Sequence, residues 1–461
     1  MKIRFVTLGC KLNFAESSAT GKALLEQGHT RAKQGEEADI CVINTCSVTD
    51  NADHKDRQAI HRIHRQNPNA IIIVTGCYAQ LQPEQIAQIE GVDYVLGQNE
   101  KYEIPALVER LESDAARAAI GRSQGELLAI GYRREAKGER ICVGAIREVE
   151  EFHGAYSKDD RTRCFLKVQD GCNYFCTYCT IPYARGKSRN PKIADVVIAA
   201  QQALAEGAKE LVLTGVNIGD FGRSTGETFL ELLRALDRLE DGVPPIGRSQ
   251  SELQVKGERL EAKGMDYRIR ISSCEPNLLT NEIIDFVAHS KHFAPHFHIP
   301  LQSGSNEVLK IMKRRYTREL FEERVKHIKQ VMPHAFIGVD CMVGVRGETE
   351  ECFNDYVEFI KRLDVSQLHV FTYSERANTR MLELDLCIVP KTERQRRSKI
   401  LHEISEEKTK TFYAQQIGRE AVVLWESKKE GDQMAGFTEN YVKIHRPYDK
   451  AKVNTFEVVR L

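Results

Sequence analysis

The stretch FLKVQDGCNYFCTYCTIPYARGKSRN, residues 165–190, decides the fold, because an apolar strand runs directly into three closely spaced cysteines. Alternating apolar residues at its beginning predict a short β-strand that ends at Gly171. Cys172, Cys176 and Cys179 follow with the spacing C-x3-C-x2-C. Three thiolates on one loop suit a cubane iron–sulfur cluster. Since three ligands leave the fourth iron open, such a cluster can bind a substrate or cosubstrate directly.

Zinc is the alternative metal for these cysteines. A structural zinc site normally has four ligands, and Cys164 is the candidate for the fourth thiolate. Cys164 lies at the start of the strand, however, several residues away from the loop, so that we assign its side chain to packing. We therefore expect a cluster rather than zinc at this loop.

The cysteine loop resembles the radical S-adenosyl-L-methionine (SAM) enzymes, in its spacing after a strand and in Tyr178 just before the last cysteine. The longer string GCNYFCTYCTIPYARGKSRN is similar to one branch of them, the methylthiotransferases. The resemblance implies that the open iron chelates the amino and carboxylate groups of SAM. It further implies a reducing electron donor, because one-electron reduction cleaves SAM to a 5′-deoxyadenosyl radical.

The composition of the chain fits a cytoplasmic protein without a membrane partner. No apolar run in the 461 residues is long enough for a secretory signal or a membrane span. Thirteen cysteines in such a chain indicate reduced thiols and metal ligation rather than disulfides. The 66 Lys and Arg balance 66 Asp and Glu, so that binding of a nucleic acid would depend on local patches.

The first part of the chain alternates strands and helices, which predicts a parallel α/β sheet similar to a Rossmann fold. The expected strands are residues 3–8, 40–43, 70–74 and 92–96, with helices over residues 15–27 and 53–66. Three of the four strands end in a cysteine, namely Cys10, Cys46 and Cys77. Ligand sites in open parallel sheets collect beyond the carboxyl ends of the strands, so we expect these three thiolates to meet and hold a second cluster. The alternative is three unrelated buried cysteines, as Cys41 within its strand would be.

The segments around these cysteines, TLGCKLNFAES, NTCSVT and TGCYAQ, resemble the three cysteine motifs of the N-terminal methylthiotransferase domain. The resemblance implies that they bind an auxiliary cluster that delivers sulfur. The protein would then use two [4Fe-4S] clusters, SAM and a sulfur source. No catalytic side chains are expected beyond the cluster ligands.

Strands and helices alternate again from Arg163 onward, and six β/α units predict a partial (β/α)6 TIM-like barrel with its function at the C-terminal mouth. The expected strands are residues 164–168, 210–214, 268–271, 296–299, 336–339 and 367–371. The expected helices are residues 193–206, 228–239, 281–289, 305–313, 317–331 and 349–363.

Polar or small residues follow these strands, and several of their segments resemble SAM-contacting segments of the family. The candidate cofactor-binding residues are Tyr178, Gly215, Asn217, Ser273, Glu275, Gln302, Asp340 and Tyr373. Ordinary hydrogen bonding within the loops is the alternative for each of them. The chain departs from the family pattern at Ala377 and Asn378, where a Pro-Gly pair is usual, and at Val345 and Arg346, where Phe-Pro is common.

The C-terminal part begins with a charged helix over residues 391–410, in which Arg394 and Arg397 are candidate RNA contacts through phosphates. A solvated helix face is the alternative. Strands at residues 421–425, 441–444 and 455–459 then predict a small β-barrel. The string FTENYVKI resembles the TRAM domain, which is linked to RNA binding, and it makes Lys443 and Arg446 further candidate RNA contacts.

The resemblance covers nearly the whole chain. We expect residues 1–135 to form the methylthiotransferase domain with its auxiliary cluster, 136–160 a linker, 161–395 the radical SAM barrel, and 396–461 a connecting helix and a TRAM-like domain. The cysteine segments are most similar to the MtaB type, which implies conversion of N6-threonylcarbamoyladenosine at position 37 of a tRNA substrate to its 2-methylthio derivative. Sister branches act on isopentenyladenosine in tRNA or on an aspartate of a ribosomal protein. A non-catalytic iron–sulfur protein that binds RNA or senses redox state is the alternative from another class.

An internal repeat has no counterpart in this interpretation. GRSQGELLAIGYRREAKG at residues 121–138 and GRSQSELQVKGERLEAKG at residues 247–264 share 12 of 18 positions. Two copies are too few for a repeat fold, and we expect two solvent-exposed inserts.

Overall fold

The computed structural model describes residues 1–33, 35–120, 140–157, 162–239 and 267–461. Both copies of the internal repeat lie outside these residues. In the described part of the chain, every helix is too short or too polar to cross a membrane.

The N-terminal domain is built on a six-stranded parallel sheet with the strand order β2-β1-β3-β4-β5-β6. The strands are β1 (Lys2–Thr7), β2 (Thr30–Arg31), β3 (Ile40–Thr45), β4 (Ile71–Gly76), β5 (Tyr94–Leu96) and β6 (Ile141–Cys142). The helices are α1 (Lys11–Glu26), α2 (Asp50–Gln66), α3 (Cys77–Leu81), α4 (Pro83–Ala87) and α5 (Ile104–Ile120). Every residue of β3 and β4 is buried, because helices cover both faces of a parallel sheet. The expected parallel α/β domain is confirmed.

Two details of this domain differ from the sequence prediction. Helix α1 begins at Lys11 rather than at residue 15, because Cys10 is extended and serves as its N-cap. Strand β6 lies in the expected linker and belongs to the first sheet, since the backbone N–H groups of Val95 and Gly97 donate to Arg140 and Cys142 at 2.9 Å. A strand of two residues is too short to leave an apolar pattern in the sequence.

The central domain contains six parallel strands that alternate with helices. The strands are β7 (Arg163–Lys167), β8 (Glu210–Thr214), β9 (Arg268–Ile271), β10 (His296–Gln302), β11 (Phe336–Val343) and β12 (Gln367–Thr372). They form two three-stranded ladders, which a parallel bridge between Ser273 and His298 joins. The helices are α6 (Ile181–Arg185), α7 (Ile193–Ala205), α8 (Phe229–Leu236), α9 (Asn281–His289), α10 (Asn306–Ile311), α11 (Arg318–Val331) and α12 (Glu350–Arg362). The expected partial (β/α)6 barrel is confirmed.

Threonine N-caps begin four of the helices around this barrel. The threonine hydroxyl accepts the N–H of the residue three positions later, which satisfies a donor that the helix itself leaves unpaired. The capping residues are Thr228, Thr280, Thr317 and Thr349. They explain why the predicted beginnings of these helices, where a threonine precedes an apolar pattern, agree closely with the structure.

The C-terminal part consists of a long helix, α13 (Lys391–Gln416), and a four-stranded antiparallel sheet with the order β15-β14-β13-β16. Its strands are β13 (Glu420–Glu430), β14 (Gln433–Thr438), β15 (Lys443–Pro447) and β16 (Phe456–Arg460). The expected all-β end of the chain is confirmed, although the sequence did not reveal β14. Among these described strands β15 and β16 are not paired, so the hydrogen-bonded ladder does not close into a barrel.

Buried arginines attach this sheet to the amino ends of the barrel strands. Arg268 donates to the carbonyl of Val422, and Arg270 to the carbonyl of Glu439, both at 3.1 Å. Glu210 accepts from Arg268 at 2.6 Å and from Arg270 at 3.0 Å, which pairs the two buried cations. The C-terminal sheet therefore covers the end of the barrel opposite its mouth.

Candidate active site

The cysteine loop after β7 has a shape that its backbone fixes. Gly171 has a φ of +67°, and a Cβ there would lie 1.9 Å from the carbonyl oxygen of Lys187, so that no other residue fits. Asp170 and Arg189 exchange two backbone hydrogen bonds of 2.9 Å, which fold the loop back on itself. The N–H of Cys172 donates to the Gly186 carbonyl at 3.0 Å. The first cysteine is thereby positioned directly above the strand end.

Each of the three thiols in this loop has a hydrogen-bond donor. The backbone N–H groups of Tyr174 and Ile181 donate to the sulfurs of Cys172 and Cys179 at 3.4 Å. Arg314 donates to the sulfur of Cys176 at 3.1 Å. Burial, with a further contribution from Cys176, raises the pKa of Cys172 to about 12. The thiols are therefore protonated until a metal displaces their protons.

A three-cysteine loop can hold a cluster or a single ion, and the two require different spacings of the sulfurs. Among the described residues, no group of three or more His, Cys, Asp or Glu side chains could hold a metal ion. Zinc with Zn–S bonds of about 2.3 Å needs thiolates roughly 4 Å apart. A cubane spaces its ligands more widely, because each cysteine binds an iron of its own.

Arg314 connects two of the predicted cofactor-binding residues to this loop. Besides the sulfur of Cys176, it contacts the hydroxyl of Tyr178 at 3.3 Å and forms an ion pair with Glu275. Arg314 was not among the predicted site residues, although the segment LQSGSNEVLKIMKRRYT that contains it resembles a SAM-contacting segment; its pairing with Cys176 spans 138 positions. Its cation stands beside a thiolate group, where it can offset the negative charge of a bound cluster.

Other predicted residues line the barrel mouth. Gln169 accepts the backbone N–H groups of Val216 and Asn217 at 2.9 and 2.8 Å, and a Cβ on Gly215 would approach the same oxygen to 2.9 Å. This contact holds the loop after β8 against the cysteine loop.

Three polar groups at this mouth are buried without a hydrogen-bond partner among the described residues, namely Gln302 Oε1, Asn277 Oδ1 and the hydroxyl of Tyr373. Buried polar groups in folded proteins are nearly always paired. Gln302 ends its barrel strand and the other two lie beyond the carboxyl ends of theirs, where a polar ligand such as SAM would supply the missing partners. The residues present therefore fit SAM.

The structure also brings together the three cysteines of the N-terminal domain. Asn13 donates to the carbonyls of Leu8 and Thr45 at 2.8 and 3.0 Å, and the hydroxyl of Thr45 donates to the carbonyl of Thr75 at 2.5 Å. These bonds hold the ends of β1, β3 and β4 side by side, so that the segments bearing Cys10, Cys46 and Cys77 adjoin.

Close packing and electrostatics both show that these thiols are neighbours. Gly9 has a φ of +94°, and a Cβ there would lie 2.9 Å from the sulfur of Cys46. Burial raises the pKa of Cys46 strongly, and the nearby Cys77 and Cys10 raise it further. Gln98 donates to the sulfur of Cys77 at 3.1 Å. Their binding of a cluster remains a prediction, for which this geometry is suitable.

A buried network of charges joins the two cysteine sites across the domain boundary, and we call it the Glu16 network. Its members are Glu16, Lys101, Lys167, Asp170 and Arg185, whose side chains are each at most 4% exposed. Arg185 donates to Glu16 at 3.1 Å and to Asp170 at 3.0 Å. Burial alone would raise the pKa of Glu16, but Arg185, Lys101 and Lys167 outweigh it and hold the pKa well below its usual range.

This network also connects the helices that follow the two cysteine sites. Arg185 ends helix α6, which follows Cys179, and it also donates to Asn13 in the first turn of α1 at 2.7 Å. Because α1 begins directly after Cys10, one arginine connects the helix that follows each cysteine site. A second contact lies beside it, where Arg376 donates to Ser47 and Asp53 at 2.6 Å. The segments that follow the two cysteine trios are therefore in contact at the domain boundary, where Thr180 also donates to the carbonyl of Ser47 at 3.4 Å.

The interior of the barrel is polar. His298 and Asp340 form a hydrogen bond of 2.7 Å, and the ring centroids of His298 and His369 are 4.9 Å apart. Asp340, predicted to contact SAM, is thus paired with a histidine inside the barrel. Lys11 reaches the same interior, where burial, together with Arg163, lowers the pKa of its ammonium to about 8. Lys11 was not among the predicted site residues.

The structure corrects two of the expected RNA contacts. Arg394 and Arg397 are 6% and 4% exposed. Arg394 donates to the carbonyls of Val389 and Tyr373 at 2.8 and 3.0 Å, and Arg397 pairs with Glu348 at 2.8 Å. They attach helix α13 to the barrel. One face of this helix packs against the barrel, so the charged residues on that face are buried together with the groups that pair with them.

Lys443 and Arg446 lie on strand β15 and are partly exposed. Lys443 pairs with Glu430 at 3.0 Å, and Arg446 with Glu457 at 2.6 Å. Exposed ion pairs of this kind are weak, so both cations can exchange a carboxylate for a phosphate. Their contact with RNA remains a prediction.

Comparisons with known proteins agree with this geometry. Residues 2–97 match the family described as "Uncharacterized protein family UPF0004", and residues 166–360 match the "Radical SAM superfamily". The chain is 36% identical over 453 residues, 96% of its length and 89% of the relative's, to the threonylcarbamoyladenosine tRNA methylthiotransferase MtaB of Bacillus subtilis. It is 30% identical over 451 residues, 95% of its length and 88% of the relative's, to the tRNA-2-methylthio-N(6)-dimethylallyladenosine synthase of Pelotomaculum thermopropionicum.

A solved structure shares the fold. The radical S-adenosylmethionine methyltransferase TsrM from Kitasatospora setae, with cobalamin and a [4Fe-4S] cluster bound, superposes with a TM-score of 0.51. The match covers 80% of this chain and 74% of TsrM at 16% identity, a similarity that concerns the fold alone.

Proposed function

The chain belongs to the family of radical SAM tRNA methylthiotransferases, and we propose on this basis that it converts N6-threonylcarbamoyladenosine at tRNA position 37 to the 2-methylthio derivative. The observation that supports the proposal is the contact between the segments that carry the two three-cysteine sites, at Arg185 with Asn13 and at Thr180 with Ser47. A sulfur donor and a radical generator must meet at the same substrate carbon, and the Glu16 network keeps the two sites together.

Each site would hold one [4Fe-4S] cluster with an open iron. The auxiliary cluster is assigned to Cys10, Cys46 and Cys77, and the SAM-binding cluster to Cys172, Cys176 and Cys179. When bound, the clusters and SAM supply the radical, the sulfur and the methyl group for a carbon–sulfur bond that side chains alone cannot form.

The residues of the chain bind and orient these groups. Arg314 and Glu275 place a balanced ion pair beside the thiolate of Cys176. The unpaired oxygens of Gln302 and Tyr373 offer hydrogen bonds to SAM, and Asn217, Ser273 and Gly215 complete the mouth.

Further partners follow from this chemistry. The enzyme needs a one-electron donor of low potential and a sulfur source, and its tRNA substrate places it in the cytoplasm. Lys443 and Arg446 on the C-terminal sheet are proposed to contact the tRNA backbone.

The alternative substrate is an adenosine with an apolar N6 group, since a relative named for dimethylallyladenosine is 30% identical. The higher identity to the MtaB protein, 36% over a similar length, favours the threonylcarbamoyl substrate.

Removal of the gene tests this choice. We expect tRNA from the deletion strain to lose 2-methylthio-N6-threonylcarbamoyladenosine and to accumulate N6-threonylcarbamoyladenosine, while the isopentenyl derivatives stay unchanged. Mass spectrometry of digested nucleosides measures all of them in one run. Complementation with the intact chain should restore the product, and complementation with Cys176→Ala should not. Loss confined to the methylthiolated isopentenyladenosine would refute the proposed substrate.

A further inference from the structure

We propose that the Lys11 ammonium binds the carboxylate of the threonyl group of the substrate, an inference that rests on the proposed function. It would make Lys11 a specificity-determining residue, because a dimethylallyl group carries no charge.

The ammonium of Lys11 lies inside the barrel. It is within electrostatic reach of groups on all six barrel strands, namely Arg163, Glu210, Arg270, His296, Asp340 and His369. Electrostatic neighbours on all six strands place the ammonium on the inner side of the partial barrel. Helix α1, which begins at Lys11, packs against the edge strand β7, as the contact of Phe14 with Phe165 shows.

Lys11 has no counter-ion there. Its ammonium forms no hydrogen bond or ion pair with any residue that the structure describes. The other charges of the interior are paired: Glu210 with Arg268 and Arg270, Arg163 with Glu426, and Asp340 with His298. A partly buried cation without a partner is costly, and this cost is offset when an anion binds.

The position of Lys11 in the sequence places its ammonium near the proposed sulfur-delivering site. Lys11 follows Cys10, a proposed ligand of the auxiliary cluster, so its ammonium lies within one lysine side chain, about 6 Å, of the backbone that carries the sulfur-delivering site. In the substrate, C2 receives the sulfur, and the N6 substituent stands on the same pyrimidine ring. A base whose C2 faces the auxiliary site therefore directs the threonyl carboxylate toward the interior that holds Lys11.

Other anions of the reaction fit this position less well. The carboxylate of SAM is expected at the open iron beside Cys172, Cys176 and Cys179, at the barrel mouth. The phosphates of tRNA lie on a backbone too wide to enter the barrel with the base. A carboxylate on the modified base itself is the anion that reaches the interior.

A pair of synthetic anticodon stem–loops tests the proposal. One carries N6-threonylcarbamoyladenosine at position 37, and the other carries its methyl ester, which lacks the charge. We expect the wild-type protein to bind the acid about 10- to 100-fold more tightly than the ester, the value of one charge-assisted hydrogen bond. Lys11→Met should lose this preference and Lys11→Arg should keep part of it. Fluorescence anisotropy gives the dissociation constants, and kcat/KM of the reconstituted enzyme should follow the same pattern.

Controls separate the possible failures. Lys22→Met changes a lysine of the same helix that pairs with Glu206 on the surface, and it should behave as wild type. Iron content and release of 5′-deoxyadenosine show whether Lys11→Met has kept both clusters, and the binding assay does not depend on turnover. A Lys11→Met variant that still prefers the acid, or that changes only the KM for SAM, would overturn the assignment. A wild-type enzyme that modifies neither stem–loop would instead refute the proposed function.

Discussion

Replacement of Cys46 by alanine should leave SAM cleavage intact and abolish methylthiolation. Cys46 belongs to the trio at the ends of β1, β3 and β4, whereas SAM is activated at the separate trio after β7. Changes in groups that merely support a metal site reduce activity about 10- to 100-fold, so removal of a ligand should reduce methylthiolation by more than about 100-fold. Radical generation at the other site needs none of these ligands.

The experiment measures two products of one reaction mixture. Cys46→Ala, reduced with dithionite, should release 5′-deoxyadenosine at a rate close to wild type while it forms no methylthiolated nucleoside. Cys41→Ala is the matched control, since Cys41 is a buried thiol within the same strand, β3, and should retain both activities. Cys176→Ala should lose both. Methylthiolation by Cys46→Ala would break the assignment of two separate sites.

Replacement of Glu16 by glutamine should destabilise the protein more than any single exposed change. Glu16 is the shared partner of Lys101, Lys167 and Arg185, and its side chain is fully buried. Loss of its charge leaves buried cations without compensation, which costs about 3–5 kcal/mol of the free energy of unfolding. Because the same network joins the two cysteine sites, methylthiolation should fall further than SAM cleavage.

Anaerobic unfolding in urea measures this loss. Glu403→Gln is the control, because Glu403 forms an exposed pair with Lys399 on helix α13 and such pairs contribute at most about 1 kcal/mol. Equal stability of Glu16→Gln and Glu403→Gln would show that the network does not hold the domains together.

The sequence predicted those parts of the site that depend on local order. Strand ends, cysteine spacing and threonine caps are short-range patterns. Because parallel strands end at one edge of a sheet, the sequence alone predicted that Cys10, Cys46 and Cys77 would meet. The cysteine loop after β7 followed from Gly171 and from the spacing alone.

The parts that sequence reasoning missed depend on contacts between distant segments. Arg314 contacts Cys176, and Arg185 of α6 contacts Asn13 of α1. The partners in each contact are more than a hundred positions apart, and no periodicity in the sequence marks either contact. Arg394 and Arg397 looked like exposed phosphate ligands because a charged helix carries no sign of which face will be covered. Lys11 belongs to the Lys11-Leu12-Asn13 segment that favours the MtaB type, but it was given no role in the site, because a lysine next to a cysteine carries no pattern that shows its surroundings.

The iron content of the anaerobically reconstituted chain tests the central claim most directly. Two separate three-cysteine sites, each with a [4Fe-4S] cluster, predict about eight irons and eight sulfides per chain. A variant with alanine at Cys10, Cys46 and Cys77 should hold about half of that. A wild-type chain with only about four irons, or a triple variant that retains all eight, would contradict the account.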